Sequence, residues 1–297
     1  MMEKIAVLLA VYNGRNWVDE QIESILKQSD VSLDLYINVD LSTDNSFHYL
    51  VDKYSSLPNV YFLPYGERYG SAGKNFYHLL LNVPCEKYSY ISFSDQDDIW
   101  NVNKLATAVT VLKNYDYKAY SSNVIAFDKY NAKTLVDKAQ PQVKYDHFFE
   151  AAGPGCTYVF TADLATQFIR FLRDNSEAQN VELHDWLLYA YSRQNNYAWF
   201  IDSNPSMLYR QHESNQVGAN NSFAAWKKRI SLVKKKWYRN EINKIMILLG
   251  NHDTKKIFYK MNNGYPGRLG LAFQVCKFRR RLRDKLTLMV LFILNII

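Results

Sequence analysis

The chain has few cysteines and lacks the glycine-rich loops that mark two common classes of nucleotide-binding protein. Its three cysteines, Cys85, Cys156 and Cys276, are far apart in 297 residues. This spacing indicates neither a disulfide framework nor a zinc site, and it fits a reducing compartment. The first apolar run is followed only by Asn13-Gly14. The G-x-G-x-x-G and Walker A loops are therefore absent, which argues against a dinucleotide-binding domain and a P-loop enzyme.

Long hydrophobic runs are missing as well. The first apolar run covers residues 5–11, follows Glu3 and has no small-residue cleavage site, so it predicts a first strand and not a signal peptide. The last covers residues 287–297, which is too short for a bilayer that needs about 20 residues. With 48% hydrophobic and 15% aromatic residues, the chain can still bury a large core.

Charge is divided unevenly along the chain. Residues 1–221 contain 18 Lys and Arg against 26 Asp and Glu, a net charge of −8. Residues 222–297 contain 18 against 3, a net charge of +15. A uniformly basic protein would suggest a nucleic-acid partner, whereas an acidic body with a basic tail predicts a localised anionic surface.

The body alternates strand-like and helix-like segments. "IAVLLAVY", "LDLYINV", "NVYFLPY" and "YSYISFS" predict strands, and "AGKNFYHLLLNV" predicts a helix before the fourth of them. "YSSNVIAFDKYNAKTLV" predicts a hairpin. This βαβ pattern predicts an α/β domain over residues 1–221, with a mainly parallel sheet flanked by helices. Residues 222–297 are expected to form a basic, amphipathic, helical region.

Three carboxylates follow the fourth predicted strand within four positions. Asp95, Asp97 and Asp98 lie where ligands bind in open α/β sheets, beyond the carboxyl end of a strand. Such crowded charges persist cheaply only if they are solvated or matched by a cation, and Mg²⁺ or Mn²⁺ would supply that match. A charged surface turn is the alternative. An EF-hand loop is excluded because Trp100 occupies its required glycine position.

Seven short motifs occur in an order that resembles family-2 glycosyltransferases of the GT-A (Rossmann-like) type, in particular the rhamnosyltransferase-like branch that builds bacterial surface polysaccharides. The resemblance covers about residues 3–220. The family usually has an Asp-Asp-Gly-Ser turn after its second strand; here only Asp40 keeps the carboxylate, and Leu41 replaces the glycine. The matching segments are "VLLAVYNG", "STDNS", "GSAGKNF", "SDQDDIW", "GCTYVF", "HDW" and "YRQHESN".

The resemblance implies a nucleotide-sugar donor and an Mg²⁺ or Mn²⁺ ion. It places Asp97 on the metal, with Asp95 or His212 as further ligands, and leaves open whether Asp95 or Asp98 joins Asp97. A surface salt bridge for Arg210, a satisfied core histidine for His212 and a solvated helix start for Lys74 and Asn75 are the competing interpretations. The residues implied in donor binding are Asp40, Lys74, Asn75, Asp95, Asp98, Arg210 and His212.

The resemblance also makes Asp185 of "HDW" the general base that deprotonates the acceptor hydroxyl, with inversion at the anomeric carbon. We expect burial near Trp186 to raise the pKa of Asp185. The alternative is an ordinary acid in the first turn of a helix. Gly155, His184 and Trp186 are implied in the acceptor pocket. Cys156 is interpreted as a core residue.

The basic tail interleaves cations with an apolar stripe near helical spacing. This pattern is typical of a helix that lies at an anionic membrane surface; a helix packed on the body is the alternative. A polyprenyl-linked saccharide acceptor would explain membrane contact. The stripe consists of Trp226, Ile230, Val233, Trp237, Ile242 and Ile245.

Together these features predict an inverting, metal-dependent glycosyltransferase at the cytoplasmic face of the cell membrane. By resemblance, dTDP-rhamnose is the first candidate donor and UDP-hexoses come next; the acceptor is a saccharide or a polyprenyl-linked saccharide. A non-catalytic scaffold of the polysaccharide machinery that keeps the fold is the alternative. A nucleic-acid partner is disfavoured because an apolar terminus adjoins the basic clusters.

Overall fold

The first strand sets the layout of the domain. In β1 (Lys4–Val11) every residue after Lys4 is buried, as expected for a strand covered on both faces. β1 pairs in parallel with β2 (Ser32–Val39) on one side and with β4 (Tyr90–Ser94) on the other. Its side chains alternate between two hydrophobic layers, because successive residues of a strand point to opposite faces. The computed structural model describes residues 2–212 and 236–297.

The strands form two sheets. The other strands are β3 Val60–Phe62, β5 Ile99–Trp100, β6 Ala119–Ser122, β7 Val124–Phe127, β8 Lys133–Val136, β9 Val159–Thr161, β10 Trp199–Asp202 and β11 Met207–Arg210. The central sheet has the strand order β10-β6-β9-β4-β1-β2-β3, and β9 runs antiparallel to both of its neighbours. The second sheet has the order β5-β11-β7-β8. The mainly parallel sheet was predicted, and so was the β7–β8 hairpin, although its preceding strand β6 belongs to the central sheet.

Helices cover both faces of the central sheet. The first, second and fourth pack in the layer under Ile5, Val7 and Leu9, and the others pack in the opposite layer. Side-chain caps begin several of them; for example, the Ser71 hydroxyl accepts a hydrogen bond from the Lys74 amide. The helices are α1 Val18–Leu26, α2 Ser46–Tyr54, α3 Ala72–Asn82, α4 Lys104–Asn114, α5 Ala162–Asp174, α6 His184–Gln194, α7 Trp237–Leu249, α8 His252–Asn262, α9 Tyr265–Ala272 and α10 Leu282–Ile293.

The C-terminal helices pack on the body through part of the predicted stripe. Ile242 and Ile245 of α7 are fully buried in the same hydrophobic cluster as α3, α5 and α6. Leu288 and Phe292 of α10 join that cluster. Trp226, Ile230 and Val233 lie outside the described residues.

The opposite face of α10 is apolar and exposed. Leu282, Leu286 and Val290 expose 69%, 51% and 46% of their surfaces, and their spacing of four residues places them along one side of the helix. In the described parts of the chain, no helix combines the length and apolar character needed to cross a bilayer.

A buried ionic cluster fastens the C-terminal region to the body. The guanidinium of Arg280 lies 3.2 Å from Asp146, which also pairs with Arg193 at 3.0 Å. The backbone amide of Arg280 donates to Glu150 at 2.7 Å. Burial raises the pKa of Asp146, but the nearby His147 imidazole and the two arginines outweigh it and hold that pKa below its usual value.

We expect Arg280→Met to destabilise the fold strongly. Asp146 and Glu150 would lose their shared buried cation and keep only Arg193 and Arg279, and removing one partner of a buried ion pair costs about 3–5 kcal/mol. Urea unfolding would measure the loss. The matched control is Lys256→Met, at an exposed position of α8, which should change the free energy of unfolding by less than about 0.5 kcal/mol. Equal losses in both variants would show that the cluster does not hold the C-terminal region.

Candidate active site

A cavity of about 750 Å³ opens at the carboxyl ends of β1, β2 and β4, the position at which open α/β sheets bind ligands. Tyr12, Asp40 and Asp95 each follow one of these strands and line the cavity. Asp185, at the start of α6, lines it too. The cavity therefore joins the strand ends to the first turn of α6.

The Asn13-Gly14 turn is held by a glutamine from the acidic motif. Gln96 accepts a hydrogen bond from the Tyr12 amide at 2.8 Å and donates to the Tyr12 carbonyl at 3.0 Å. A Cβ on Gly14 would lie only 2.4 Å from the Gln96 side-chain oxygen. Glycine at position 14 thus allows the ends of β1 and β4 to be joined closely.

The "STDNS" motif closes the other side of this turn. Ser42 and Ser46 accept hydrogen bonds from the amides of Asn13 and Gly14 at 3.0 and 3.2 Å. Asp44 accepts from the amide of Arg15 at 3.0 Å. Burial raises the pKa of Asp44, but hydrogen bonds from the Ser46 hydroxyl and from the amides of Arg15 and Ser46 outweigh it and lower that pKa. The motif is a scaffold for the turn.

Asp40 lines the cavity, but both of its carboxylate oxygens are engaged. They accept hydrogen bonds from the backbone amides of Tyr69 at 2.9 Å and Gly70 at 3.0 Å. Leu41, where the family pattern has glycine, has a negative φ, and its amide donates to the Glu67 carbonyl. Asp40 therefore fixes the position of the loop of residues 67–70, which leads into α3.

The three predicted carboxylates divide between the cavity and the core. Asp95 and Asp97 line the cavity, whereas Asp98 is fully buried behind it and accepts a hydrogen bond from the Arg210 amide at 3.1 Å. Burial, with the neighbouring charges of Asp97 and Asp185, raises the pKa of Asp95 to about 7. Burial also raises the pKa of Asp98.

His212 meets Asp97 inside the cavity. Its Nε2 atom lies 2.6 Å from Oδ2 of Asp97. The imidazole stacks on the indole of Trp17, with the ring centroids 4.2 Å apart. This stacking orients His212 toward the carboxylates.

The donor set suits a hard divalent cation. Asp95, Asp97 and His212 face one cavity, and carboxylate oxygens with an imidazole are ligands that Mn²⁺ and Mg²⁺ accept. Among the described residues, the ligand atoms that all lie within 4.8 Å of one another are instead those of Asp95, Asp98 and Cys156. Burial raises the pKa of Cys156, so its thiol stays protonated and is a poor ligand for such an ion.

Asp185 lies against Gly155 at the start of α6. A Cβ on Gly155 would lie 2.8 Å from Cβ of Asp185 and 3.2 Å from Nε2 of His184. Burial raises the pKa of Asp185 to about 6, although the backbone amides of Trp186, Asp185 and Gly155 oppose the shift. The close approach at Gly155 keeps this carboxylate in a confined position.

His184 presents a neutral imidazole to the same cavity. Its ring stacks on Phe76 with centroids 4.0 Å apart, and burial lowers its pKa to about 3. Its Nε2 atom has no hydrogen-bond partner among the described residues. That nitrogen faces the Gly155 loop.

Four predicted residues do not line the cavity. Lys74 is exposed on α3. The Arg210 guanidinium contacts Glu20 and the Asp97 carbonyl, so it serves the structure of the carboxylate loop. Asp98 is the buried acid described above, and Trp186 is buried with its indole donating to the His147 carbonyl at 2.9 Å.

Asn75 lines the cavity but is paired with Asn38 at 2.9 Å. Sequence reasoning missed several other lining residues, namely Arg68, Gln96, Lys138, Arg281 and Arg283. Gln96 stood inside a recognised motif. Arg281 and Arg283 belong to a basic tract whose sequence pattern did not reveal that it reaches the cavity.

Known proteins are similar to this chain in sequence. The model of glycosyl transferase family 2 matches residues 6–170. The chain is 47% identical over 290 residues to the dTDP-rhamnosyl transferase RfbG of Shigella flexneri, covering 97% of this chain and all of that protein.

Two solved structures share the fold. S. aureus TarS 1–349 in complex with UDP-GlcNAc has a TM-score of 0.59 and 13% identity, covering 99% of this chain and 89% of that one. The mannosyltransferase PcManGT of Pyrobaculum calidifontis, in complex with GDP-Man and Mn²⁺, has a TM-score of 0.53 and 16% identity, covering 100% and 86%. These likenesses confirm the predicted GT-A fold.

We expect the Asp185 carboxyl to titrate near pH 6, because burial disfavours its charged form. A ¹³C NMR titration of labelled aspartate would show this. The Asp185 resonance is identified by its loss in Asp185→Asn and its retention in the control Asp174→Asn, at an exposed end of α5. A midpoint near the ordinary value of about 3.9 would show that the carboxyl is solvated.

Proposed function

The chain belongs to glycosyl transferase family 2, and we propose that it transfers a sugar from a nucleoside-diphosphate sugar to a growing, lipid-linked bacterial surface polysaccharide. The first candidate donor is dTDP-rhamnose, because the relative at 47% identity is a dTDP-rhamnosyl transferase; UDP-hexoses come next. One observation carries the proposal: Asp185 shares a single cavity with the acidic pair Asp95 and Asp97.

Asp185 acts as the general base. Its carboxylate accepts the proton of the acceptor hydroxyl while the hydroxyl oxygen forms a bond to the anomeric carbon and the bond to the diphosphate oxygen breaks. Attack opposite the leaving group inverts the anomeric centre. A raised pKa brings Asp185 closer to the working pH, and a positioned base contributes about 10²- to 10⁴-fold to the rate.

Asp95, Asp97 and His212 would hold Mg²⁺ or Mn²⁺. The ion, when bound, supplies positive charge that stabilises the leaving diphosphate. The chain itself prepares this end of the cavity: Trp17 orients His212 by stacking, and Gln96 joins the ends of β1 and β4. The first turn of α3, which lines the cavity at Ser71 and Ala72, adds a helix N-terminus that favours negative charge.

The exposed face of α10 suits a peripheral contact with the cytoplasmic side of the cell membrane. Leu286 and Val290 are exposed there, and residues 222–297 carry a net charge of +15. Apolar side chains beside cations favour an anionic lipid surface. A lipid-linked acceptor remains in the bilayer, so such a contact would bring the cavity to its substrate.

The enzymatic test is release of nucleoside diphosphate from a panel of dTDP-, UDP- and GDP-sugars, with and without Mn²⁺ and a polyprenyl-diphosphate saccharide. We expect turnover of one donor, at a rate that depends on the metal. The rate should rise as the pH increases through about 6, because Asp185 loses its proton there and can then act as a base.

Both Asp97→Asn and Asp185→Asn should lower that rate by about 10²-fold or more. Asp97→Asn should weaken metal binding, whereas Asp185→Asn should still bind donor; the surface variant Asp174→Asn is the control. A wild type inert toward every donor, with the lipid acceptor present, would favour the scaffold alternative.

Flotation with lipid vesicles tests the membrane contact. The wild type should float with vesicles that contain phosphatidylglycerol and much less with pure phosphatidylcholine. The double variant Leu286→Glu, Val290→Glu should bind several-fold less, because buried charges oppose insertion. Tyr259→Glu, an exposed position of α8, is the control. Unchanged flotation of the double variant would refute a contact through α10.

A further inference from the structure

One wall of the cavity is positively charged, in contrast to the acidic strand ends. Lys138 follows β8, and Arg281 and Arg283 lie at the start of α10; all three line the cavity. The described body around them is acidic overall, since residues 1–221 carry a net charge of −8. The cavity also holds Asp40, Asp95 and Asp97, so the presence of three cations on one wall needs a physical explanation.

The neighbouring carboxylates neutralise this wall only in part. Glu150 pairs with Arg279 and Arg280, each at 3.7 Å, and Asp284 lies 3.5 Å from Arg283. Within residues 2–212 and 236–297, Lys138 and Arg281 form no ion pair. Burial lowers the pKa of Lys138, and the charges of Glu150 and Asp284 offset this only in part. Lys138 is half-buried, and even a partly desolvated ammonium is more favourable when an anion accompanies it.

Neighbouring contacts anchor the two segments that carry Lys138 and Arg281. Arg280, next to Arg281, is fixed by Asp146 and by the Ala151 carbonyl at 2.7 Å. On the other side, Gly153 packs against the stem of Lys138: a Cβ there would lie 3.7 Å from Cβ of Lys138. Arg281 and Lys138 thus approach the cavity from supports that are already fixed, which lowers the entropy cost of binding a ligand.

These cations lie on the side of the cavity formed by the loop that ends at Gly155, and not on the side that holds Asp95 and Asp97. Lys138 and Arg281 come from the elements that border residues 149–155, which lead to Gly155 and Asp185. Asp40, Asp95 and Asp97 follow β2 and β4. An anion on this wall would therefore belong to the molecule that Asp185 deprotonates.

An exposed apolar stripe begins at the same wall. Leu282 stands between Arg281 and Arg283 and is exposed, and Leu286 and Val290 continue the stripe along α10. Cations beside an exposed apolar stripe match an amphiphile with an anionic head and a hydrocarbon chain. A polyprenyl diphosphate has that chemistry.

We propose that Lys138 and Arg281, assisted by Arg283, form a subsite for the diphosphate of a prenyl-linked acceptor. The inference rests on the proposed transferase function and specifies its acceptor. Ammonium and guanidinium groups make strong, charge-assisted hydrogen bonds to phosphate oxygens. The diphosphate would be held at the cavity wall while its chain leaves along α10.

The test measures binding of farnesyl diphosphate, a short prenyl diphosphate, to the full chain saturated with dTDP. Saturation keeps the donor site filled, and farnesol serves as the probe that lacks phosphate. We expect farnesyl diphosphate to bind and farnesol to bind much more weakly. Lys138→Gln and Arg281→Gln should each weaken binding by about tenfold or more. Arg170→Gln, at an exposed arginine of α5, should bind as the wild type does.

Other outcomes separate the sources of anion binding. If dTDP displaces the probe, the anion occupies the donor site and the subsite is refuted. Equal binding of farnesol would refute a role for the diphosphate, and so would variants that bind like the wild type while circular dichroism shows them folded. Donor turnover without probe binding would overturn this inference and leave the transferase intact; probe binding that depends on Arg281 without turnover would do the reverse.

Discussion

The buried attraction between Arg280 and the pair Asp146 and Glu150 is the interaction on which the Asp185 side of the cavity depends. It joins two segments that are about 130 residues apart in the chain. Once Arg280 is neutralised in the interior, the loop of residues 149–155 has a fixed path. That path carries Gly155 to Asp185 and leaves Arg281 at the cavity wall.

The two halves of the cavity are therefore built by different means. The half that holds Asp40, Asp95 and Asp97 is made from the ends of β1, β2 and β4, whose positions follow from backbone hydrogen bonds within one sheet. The half that holds Asp185 is made from loops and helix ends that are positioned by side-chain charges and packing. For example, the Glu182 amide donates to Glu241 of α7 at 2.8 Å, so the segment before Asp185 also depends on the C-terminal helices.

This difference explains which parts of the cavity could be predicted from the sequence. The periodicity of residues 5–11 and 88–94 locates strands, and parallel strands bring Asp40, Asp95 and Asp97 to one edge because of geometry alone. The first-turn position of Asp185 was also readable from its motif. The contact of Arg210 with Glu20 was not, since it links residues 190 positions apart through a flexible side chain. The basic tract at residues 279–283 looked uniform, yet Arg280 is buried and Arg283 is exposed; only tertiary contacts separate neighbours of the same type.

The dependence on Arg280 also bears on the order in which the protein matures during synthesis. Domains begin to fold as they leave the ribosome, N-terminal parts first. The strands that carry the acidic edge can pair long before residue 280 emerges, whereas the loop of residues 149–155 must wait for Arg280. A nascent chain would thus form the strand-end side of the cavity early and the side that holds Asp185 late, after the C-terminal helices have docked.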